Sequence, residues 1–263
     1  MKNKKLNYSV CTDAVFMHTG ISCTDAIRQV AELGFEAVEF WSWWDKDIDA
    51  MEKELERTGL RAATFCTRFV NPGDKELQEA YLGGLKESFA VAERLHCRTI
   101  IAQAGWEFES FPKGITREEH RKTLIETMKR SGELAVAQGV TIVVEPLNLL
   151  NDHPGYHLST SADAFDLMDK IDCPNVKILF DIYHQQITEG NLIRNICSSI
   201  GKIGHFHAAG NPGRGELTEG EIHYPHVLSA IAEEGYTGYV GLEYMVDHDP
   251  VPGLIDTVEK ILV

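Results

Sequence analysis

Four short apolar runs in the second half of the chain each end on a residue that can bind a metal ion. The runs end at Glu145, Asp181, His207 and Glu243, at intervals of 36, 26 and 36 residues. Each interval has room for one helix and the next strand, so we expect the runs to be neighbouring parallel strands. Because the carboxyl ends of such strands meet at one rim of a barrel, the four side chains are predicted to surround one point.

The rest of the chain repeats the same order of helix and strand. Helix-like segments end at Gly34, Gly59, Gly139 and Gly235, and an apolar strand follows each glycine. Glycine suits this position because it adopts the left-handed conformation that ends a helix. The predicted strands are continuous apolar runs, which are typical of a parallel sheet covered by helices. They fall near residues 6–10, 36–40, 60–65, 98–102, 141–145, 176–181, 202–207 and 239–243.

Eight such units predict an α/β fold, a single-domain (β/α)8 TIM barrel over residues 1–263. The average unit of about 33 residues fits the size of such barrels. A doubly wound sheet is the main alternative, because local pattern does not show whether the sheet closes. The number of units, and the lack of a G-x-G-x-x-G motif after the first strand, favour the barrel. Thr116 and Glu119 form a capping-box pattern that predicts a helix continuing to about Gln138.

Composition narrows the partners and the compartment. The chain has 25 Lys and Arg residues and 40 Asp and Glu residues, so its formal net charge of −15 argues against nucleic-acid binding. No apolar run approaches the ~18 residues of a membrane helix, and the N-terminal segment is too short and mixed for a signal peptide. The 6 cysteines are irregularly spaced without a CxxC pair, which indicates free thiols in a reducing cytoplasm. We therefore expect a cytoplasmic protein without membrane or nucleic-acid partners.

The predicted cluster at the rim has the composition of a divalent-metal site. Taken singly, a carboxylate at a strand end is more often a helix cap or an ion-pair partner, and a histidine is more often a hydrogen-bonded interior residue. Taken together, four such groups would bury negative charge at a cost of several kcal/mol each unless a cation were present. Ligation mostly by oxygen with one nitrogen favours Mg²⁺ or Mn²⁺, with Co²⁺ or Zn²⁺ as alternatives.

Residues near the predicted strand ends are candidates for contacting a substrate. His184 lies three residues after Asp181 and could donate to a substrate oxygen. Arg214 lies in a glycine-rich loop and offers a planar fork for a carboxylate or phosphate, and the alternative is a solvated arginine in an ordinary loop. His205 points the same way as His207, one layer deeper, and is predicted to support the site instead of binding the metal.

The sequence does not decide the roles of Glu39 and of the four tryptophans. Glu39 could point into the pocket or cap the rim. The four tryptophans follow the second and fourth predicted strands and could wall the pocket, pack in the core or form subunit contacts: Trp41, Trp43, Trp44 and Trp106.

These segments resemble the xylose isomerase-like TIM-barrel superfamily of sugar isomerases and epimerases, and within it the hydroxypyruvate isomerase-like branch. The resemblance covers nearly the whole chain and is strongest at residues 180–184 (FDIYH), 205–207 (HFH), 213–216 (GRGE) and 241–244 (GLEY). In this superfamily the first and last glutamates of the quartet bind the metal and also transfer the proton. The resemblance therefore implies catalytic roles for Glu145 and Glu243, metal binding by Glu145, Asp181, His207 and Glu243, and substrate binding by His184 and Arg214.

The resemblance also implies a reaction. It is the metal-dependent interconversion of the aldehyde and ketone forms of a short α-hydroxy carbonyl sugar acid, through an enediolate. The substrate would be of the hydroxypyruvate/tartronate semialdehyde or 2-oxo-tetronate type, and the subunits would form a homodimer or homotetramer.

Four alternatives to this reaction remain. A ketose 3-epimerase or a sugar-acid dehydratase could use the same site, but similar 3-epimerases carry a carboxylate where this chain has Asn151. An abasic-site endonuclease shares the barrel but conflicts with the acidic charge. A non-catalytic sugar-binding barrel conflicts with the complete quartet.

Overall fold

The computed structural model describes residues 6–105 and 114–262. Its strands are all parallel and belong to one sheet of order β3-β2-β1-β8-β7-β6-β5-β4 when numbered along the chain. The strands are β1 (Asn7–Cys11), β2 (Ala37–Phe40), β3 (Arg61–Phe65), β4 (Thr99–Ala102), β5 (Thr141–Val144), β6 (Val176–Asp181), β7 (Ile203–Ala208) and β8 (Tyr239–Leu242).

Helices connect the strands and cover the outside of the sheet. They are α1 (Thr12–Val15), α2 (Cys23–Glu32), α3 (Ile48–Thr58), α4 (Gln78–Arg94), α5 (Arg117–Gln138), α6 (Ser161–Ile171), α7 (Ile182–Thr188), α8 (Leu192–Ser199), α9 (Tyr224–Glu233) and α10 (Val251–Lys260), with a 3₁₀ turn at Ile200–Lys202. Within residues 6–105 and 114–262, none of these helices is long and apolar enough to cross a membrane.

The two ends of the sheet meet, so the sheet forms a barrel. Just beyond β3, Cys66 pairs with Ile101 of β4 in a parallel bridge. The Thr67 N–H then donates to the Ile101 carbonyl at 2.7 Å. The predicted (β/α)8 fold is thereby confirmed over the doubly wound alternative, and the predicted strand bounds agree with the observed ones to within one residue.

The predicted helix signals are also present in the structure. Thr116 and Glu119 form a complete capping box at the start of α5, which satisfies backbone N–H groups that the first helical turn leaves unpaired. Gly139 ends the same helix in the left-handed conformation, with φ of 64°, and Gly59 ends α3 with φ of 75°.

Strand geometry determines which side chains reach the carboxyl-terminal rim. Asp181 is the last residue of β6 and pairs in register with His207 on β7, which in turn pairs with Gly241 on β8. Glu145 and Glu243 follow the last residues of β5 and β8. Because β5, β6, β7 and β8 are adjacent in the sheet, their four side chains are carried to one sector of the rim.

Candidate metal centre and active site

The four predicted ligands meet at the carboxyl-terminal rim of the barrel. Each of Glu145, Asp181, His207 and Glu243 offers one ligand atom, and these atoms all lie within 4.8 Å of one another. The Nδ1 atom of His207 is 3.6 Å from Glu145 Oε1 and 3.3 Å from Glu243 Oε2. The group has the donor set and the spacing to hold one divalent ion.

Polar atoms in this cluster are left without hydrogen bonds, which supports the fit to a metal ion. Glu145 Oε1 and His207 Nδ1 are buried and have no hydrogen-bond partner. Buried polar groups normally find a partner, so orphaned atoms that face one point call for an explanation. A cation bound between them would satisfy both.

Asp181 is held by the backbone of the helix that follows it. Its Oδ1 caps α7 by accepting hydrogen bonds from the backbone N–H groups of Tyr183, at 2.7 Å, and His184, at 3.1 Å. Helix capping thus fixes the carboxylate, while Oδ2 faces the site, 3.6 Å from His184 Nε2 and 4.0 Å from Arg214.

Glu145 and Glu243 have different electrostatic surroundings. Burial raises the pKa of Glu145 above its ordinary value, and the nearby carboxylates of Glu243 and Asp181 add to this rise against the effect of His207. Burial would raise the pKa of Glu243 as well, but His207 and Arg214 hold it well below its ordinary value. Glu243 is therefore the more strongly ionised of the two in the protein alone.

Trp41 and Arg214 both contact Glu243. The indole Nε1 of Trp41 donates to Glu243 Oε1 at 2.6 Å, and the Arg214 guanidinium donates to Oε2 at 2.5 Å. Arg214 adopts a left-handed backbone conformation with φ of 54°, and its guanidinium lies 5.5 Å from the centre of the Tyr183 ring. Arg214 therefore lies at the site and is not a solvated loop residue.

The other tryptophans have different surroundings from Trp41. Trp43 donates from Nε1 to the Ser88 hydroxyl at 3.1 Å, and the Arg68 guanidinium lies over its ring. Trp44 packs edge to face on Phe69, which is 53% exposed. Trp106 lies outside the described residues.

His184 has a defined orientation and charge. Burial and the nearby Arg214 lower its pKa well below the ordinary value, so the ring is neutral at pH 7. Asn148 Nδ2 lies 2.7 Å from His184 Nδ1 and donates to it, because an amide nitrogen can only donate. The same nitrogen donates its other proton to Asp152 Oδ2 at 2.6 Å. The ring proton is therefore on Nε2, which faces Asp181.

Asn151 does not contribute its side chain to the site. It is exposed, and its backbone N–H donates to Asn148 Oδ1 at 3.0 Å. The carboxylate of the next residue, Asp152, lies on the side of the site near His184, 4.0 Å from Nδ1.

Glu39, which had no assigned role from sequence, points into the barrel and is 1% exposed. The Ser9 hydroxyl donates to Oε2 at 2.7 Å, and His205 Nε2 lies 3.0 Å from the same oxygen. Glu39 Oε1 lies 3.0 Å from His207 Nε2. Burial would raise the pKa of Glu39, but His207 and His205 hold it at about 2, so the group is ionised. His205 thus contacts Glu39 and is not among the four rim residues.

Trp41 and Asn148 are site residues that sequence reasoning did not single out. Asn148 had no assigned role, and Trp41 was considered only as one of four tryptophans that could wall the pocket. The available signal was position, since Trp41 directly follows β2 and Asn148 follows β5 by four residues.

Fold and site together define a TIM-barrel protein with a candidate metal centre at its carboxyl-terminal rim. The sequence matches a family model described as "Xylose isomerase-like TIM barrel" over residues 27–261, and the chain therefore belongs to that family.

Two relatives of the chain are named as isomerases. The chain is 31% identical over 230 residues to hydroxypyruvate isomerase of Escherichia coli, covering 82% of this chain and 85% of the relative. It is 32% identical over 227 residues to 2-oxo-tetronate isomerase of Cupriavidus necator, covering 84% and 86%. A solved structure described as an AP endonuclease, family 2, from Brucella melitensis superposes with a TM-score of 0.86 at 29% identity, covering 98% of this chain and 99% of that one.

These relatives confirm the expected family, its hydroxypyruvate isomerase-like branch and the enzyme class. The protein is an isomerase of the aldose–ketose type, similar to hydroxypyruvate isomerases.

The Asn148–His184 contact predicts a single ring tautomer. In Asn148→Leu the amide donor is lost, and His184 Nδ1 keeps only the long contact with the backbone N–H at 3.4 Å. We expect ¹⁵N-histidine NMR to show the proton on Nε2 in the wild type and both tautomers in Asn148→Leu. Asn151→Ala is the matched control, because that side chain is exposed, and it should behave as wild type. An unchanged tautomer in Asn148→Leu would show that Asn148 does not orient the ring.

Proposed function

We propose that this enzyme interconverts the aldehyde and ketone forms of a short α-hydroxy carbonyl acid in a metal-dependent reaction that passes through an enediolate. The substrate class is that of hydroxypyruvate and tartronate semialdehyde, or of 2-oxo-tetronates. The single observation that carries the proposal is the rim cluster, whose four ligand atoms lie within 4.8 Å of one another beside Arg214 and His184.

Glu145, Asp181, His207 and Glu243 would hold the ion, and Mg²⁺ or Mn²⁺ best fits three oxygen ligands and one nitrogen ligand. When bound, such an ion polarises the substrate carbonyl and acidifies the neighbouring C–H bond.

Glu145 and Glu243 would move the proton between the two carbons. They come from the two outer strands of the group β5 to β8 and flank the other two ligands. In hydroxypyruvate, one glutamate takes a proton from C3 to form the enediolate, and the other returns a proton to C2. The proton on the C3 hydroxyl moves to the C2 oxygen, so the product is tartronate semialdehyde without net oxidation. Each glutamate must approach its carbon to about 3 Å.

His184 and Arg214 would orient the substrate. The neutral His184 ring presents its Nε2–H toward the site, where it can donate to a substrate oxygen and assist the proton transfer between oxygens. The Arg214 guanidinium lies at the same site and can form paired hydrogen bonds with a substrate carboxylate. This pair of contacts favours a short acid over a neutral sugar.

Relatives and charge support the same substrate class. The relatives named for hydroxypyruvate and 2-oxo-tetronate act on short acids by their names, and they match over more than four-fifths of this chain. A DNA substrate, which the name of the Brucella melitensis protein would imply, conflicts with the formal net charge of −15.

Removal of the metal should stop the reaction. After exhaustive chelation we expect no exchange of substrate protons with D₂O, measured by proton NMR with hydroxypyruvate, tartronate semialdehyde and a 2-oxo-tetronate in turn. Adding Mg²⁺ or Mn²⁺ should restore exchange at both carbons. Full activity in protein shown by elemental analysis to hold no metal would contradict metal dependence. Exchange at a carbon remote from the carbonyl would contradict the proposed isomerisation.

Glu243→Gln should separate proton transfer from metal binding. The amide keeps the size of the side chain but cannot accept the proton, so we expect turnover to fall by about 10²- to 10⁴-fold even at saturating Mn²⁺. Asp181→Asn is the matched control, because Asp181 is proposed as a ligand without a role as base. Its activity should recover substantially at high Mn²⁺ concentration. A near-normal rate in Glu243→Gln would remove Glu243 from the proton-transfer step.

Arg214→Ala should weaken binding of acids selectively. Loss of a charged hydrogen bond predicts a rise in KM of about 10- to 100-fold for an anionic substrate. The KM for a neutral α-hydroxy ketone should change much less. Arg214→Lys keeps the charge without the planar fork and should fall between the wild type and Arg214→Ala. Equal effects on acidic and neutral substrates would argue against carboxylate recognition by Arg214.

A further inference from the structure

The interior of the barrel holds a buried carboxylate that the proposed reaction does not use. Glu39 lies on β2, on the far side of His207 from the rim carboxylates. His207 Nδ1 faces Glu145 and Glu243, whereas His207 Nε2 lies 3.0 Å from Glu39 Oε1. The two nitrogens of one ring thus have separate partners.

We propose that Glu39 is a positioning residue that holds the His207 ring with Nδ1 directed at the metal centre. The inference rests on the proposed metal-dependent function. A carboxylate only accepts, so the contact with Glu39 keeps a proton on Nε2. A neutral imidazole protonated there has its lone pair on Nδ1, which is the atom a metal ion requires.

The surroundings of the contact show that it is built into the barrel. Glu39 Oε1 and His207 Nε2 are both buried and lie 3.0 Å apart as an ion-pair contact, and neither atom forms a hydrogen bond within the described residues. The other oxygen of Glu39 is engaged by Ser9 and His205, which keeps the carboxylate from turning away. Ser9 and His205 therefore fix Glu39, and Glu39 fixes His207.

A glycine provides the space for this carboxylate. Gly241 on β8 pairs in register with His207 and with Ser9. A Cβ atom at position 241 would overlap the carboxyl group of Glu39. Any larger residue there would displace Glu39 from its place beside His207.

Glu39, His205 and His207 are also close enough together to be read as a second metal site. The hydrogen bond from Ser9 and the two contacts of 3.0 Å between ring nitrogen and carboxylate favour a hydrogen-bonded network instead. A metal ion would need nitrogen lone pairs where this arrangement requires N–H groups. We therefore expect each chain to bind one metal ion.

The test is a calorimetric titration of the chelator-treated full-length protein with Mn²⁺ alone, without substrate. The wild type should bind one ion, and Glu39→Gln should bind it about 10- to 100-fold more weakly. Glu36→Gln is the matched control. It makes the same change at an exposed glutamate directly before β2 and should leave the Mn²⁺ affinity as in the wild type.

Thermal unfolding of the metal-free variants separates positioning from simple destabilisation. We expect Glu39→Gln to remain folded well above the temperature of the titration. A lower unfolding midpoint with unchanged Mn²⁺ affinity would overturn the inference. Two ions in the wild type and one in Glu39→Gln would overturn it in favour of a second metal site.

If the wild type binds no Mn²⁺, both the proposed function and the inference are overturned. If the wild type and Glu39→Gln bind Mn²⁺ equally well, only the inference is overturned. If Glu39→Gln fails to fold, Gly241→Ala provides the same test by displacing the carboxylate, and wild-type affinity in that variant would overturn the proposal.

Discussion

The imidazole of His207 is held between buried carboxylates on both of its nitrogens, and the rest of the site is arranged around it. Glu39 lies 3.0 Å from Nε2, and Glu243 lies 3.3 Å from Nδ1. Carboxylates this close repel one another and are costly to bury, so the barrel must offer them positive charge or hydrogen-bond donors. Glu39 obtains donors from inside the barrel, because Ser9 and His205 reach its second oxygen. Glu39 Oε1 and His207 Nε2 lack hydrogen-bond partners just as Glu145 Oε1 and His207 Nδ1 do, but the second oxygen of Glu39 has two partners from inside the barrel. That difference separates a structural carboxylate from a candidate metal centre.

The position of the rim cluster could be predicted from the sequence because it depends on strand ends alone. In a parallel barrel, the residue that ends one strand lies beside the residue that ends the next, whatever the helices between them do. Asp181 and His207 are paired in register for this reason, although 26 residues separate them. The glycines that stop the helices and the capping box at Thr116 are likewise local signals. Together with the apolar runs, these signals predict where helices and strands begin and end, without any information on long-range contacts.

Residues whose roles depend on contacts across the barrel could not be assigned in this way. Glu39 meets Ser9 and His205 only because β1, β2 and β7 direct these side chains into the same interior, and no local pattern encodes that meeting. Trp41 and Trp43 are two residues apart, yet the first donates to Glu243 and the second to Ser88. The face that a helix turns toward the core is also difficult to assign from sequence alone. In α10 the apolar Val258 is 37% exposed, whereas the neighbouring polar Thr257 is fully buried.

The charge of the site would link the proposed metal ion to the proposed choice of substrate. Glu39, Glu145, Asp181 and Glu243 place four carboxyl groups in or beside one site, against the positive charge of Arg214. An anionic keto acid entering this pocket would meet an excess of negative charge, and in a buried site that repulsion is weakly screened. A divalent ion held by Glu145, Asp181, His207 and Glu243 would offset most of the excess and would supply positive charge for the oxygens of the substrate. The charge of Arg214 is already shared between the carboxylates of Glu243 and Asp181. Arg214 can therefore bind a substrate carboxylate strongly only when the ion neutralises part of the charge on these two residues. On this argument, cation binding should strengthen acid binding, and the preference for short acids would be a property of the metal-loaded pocket and not of Arg214 alone.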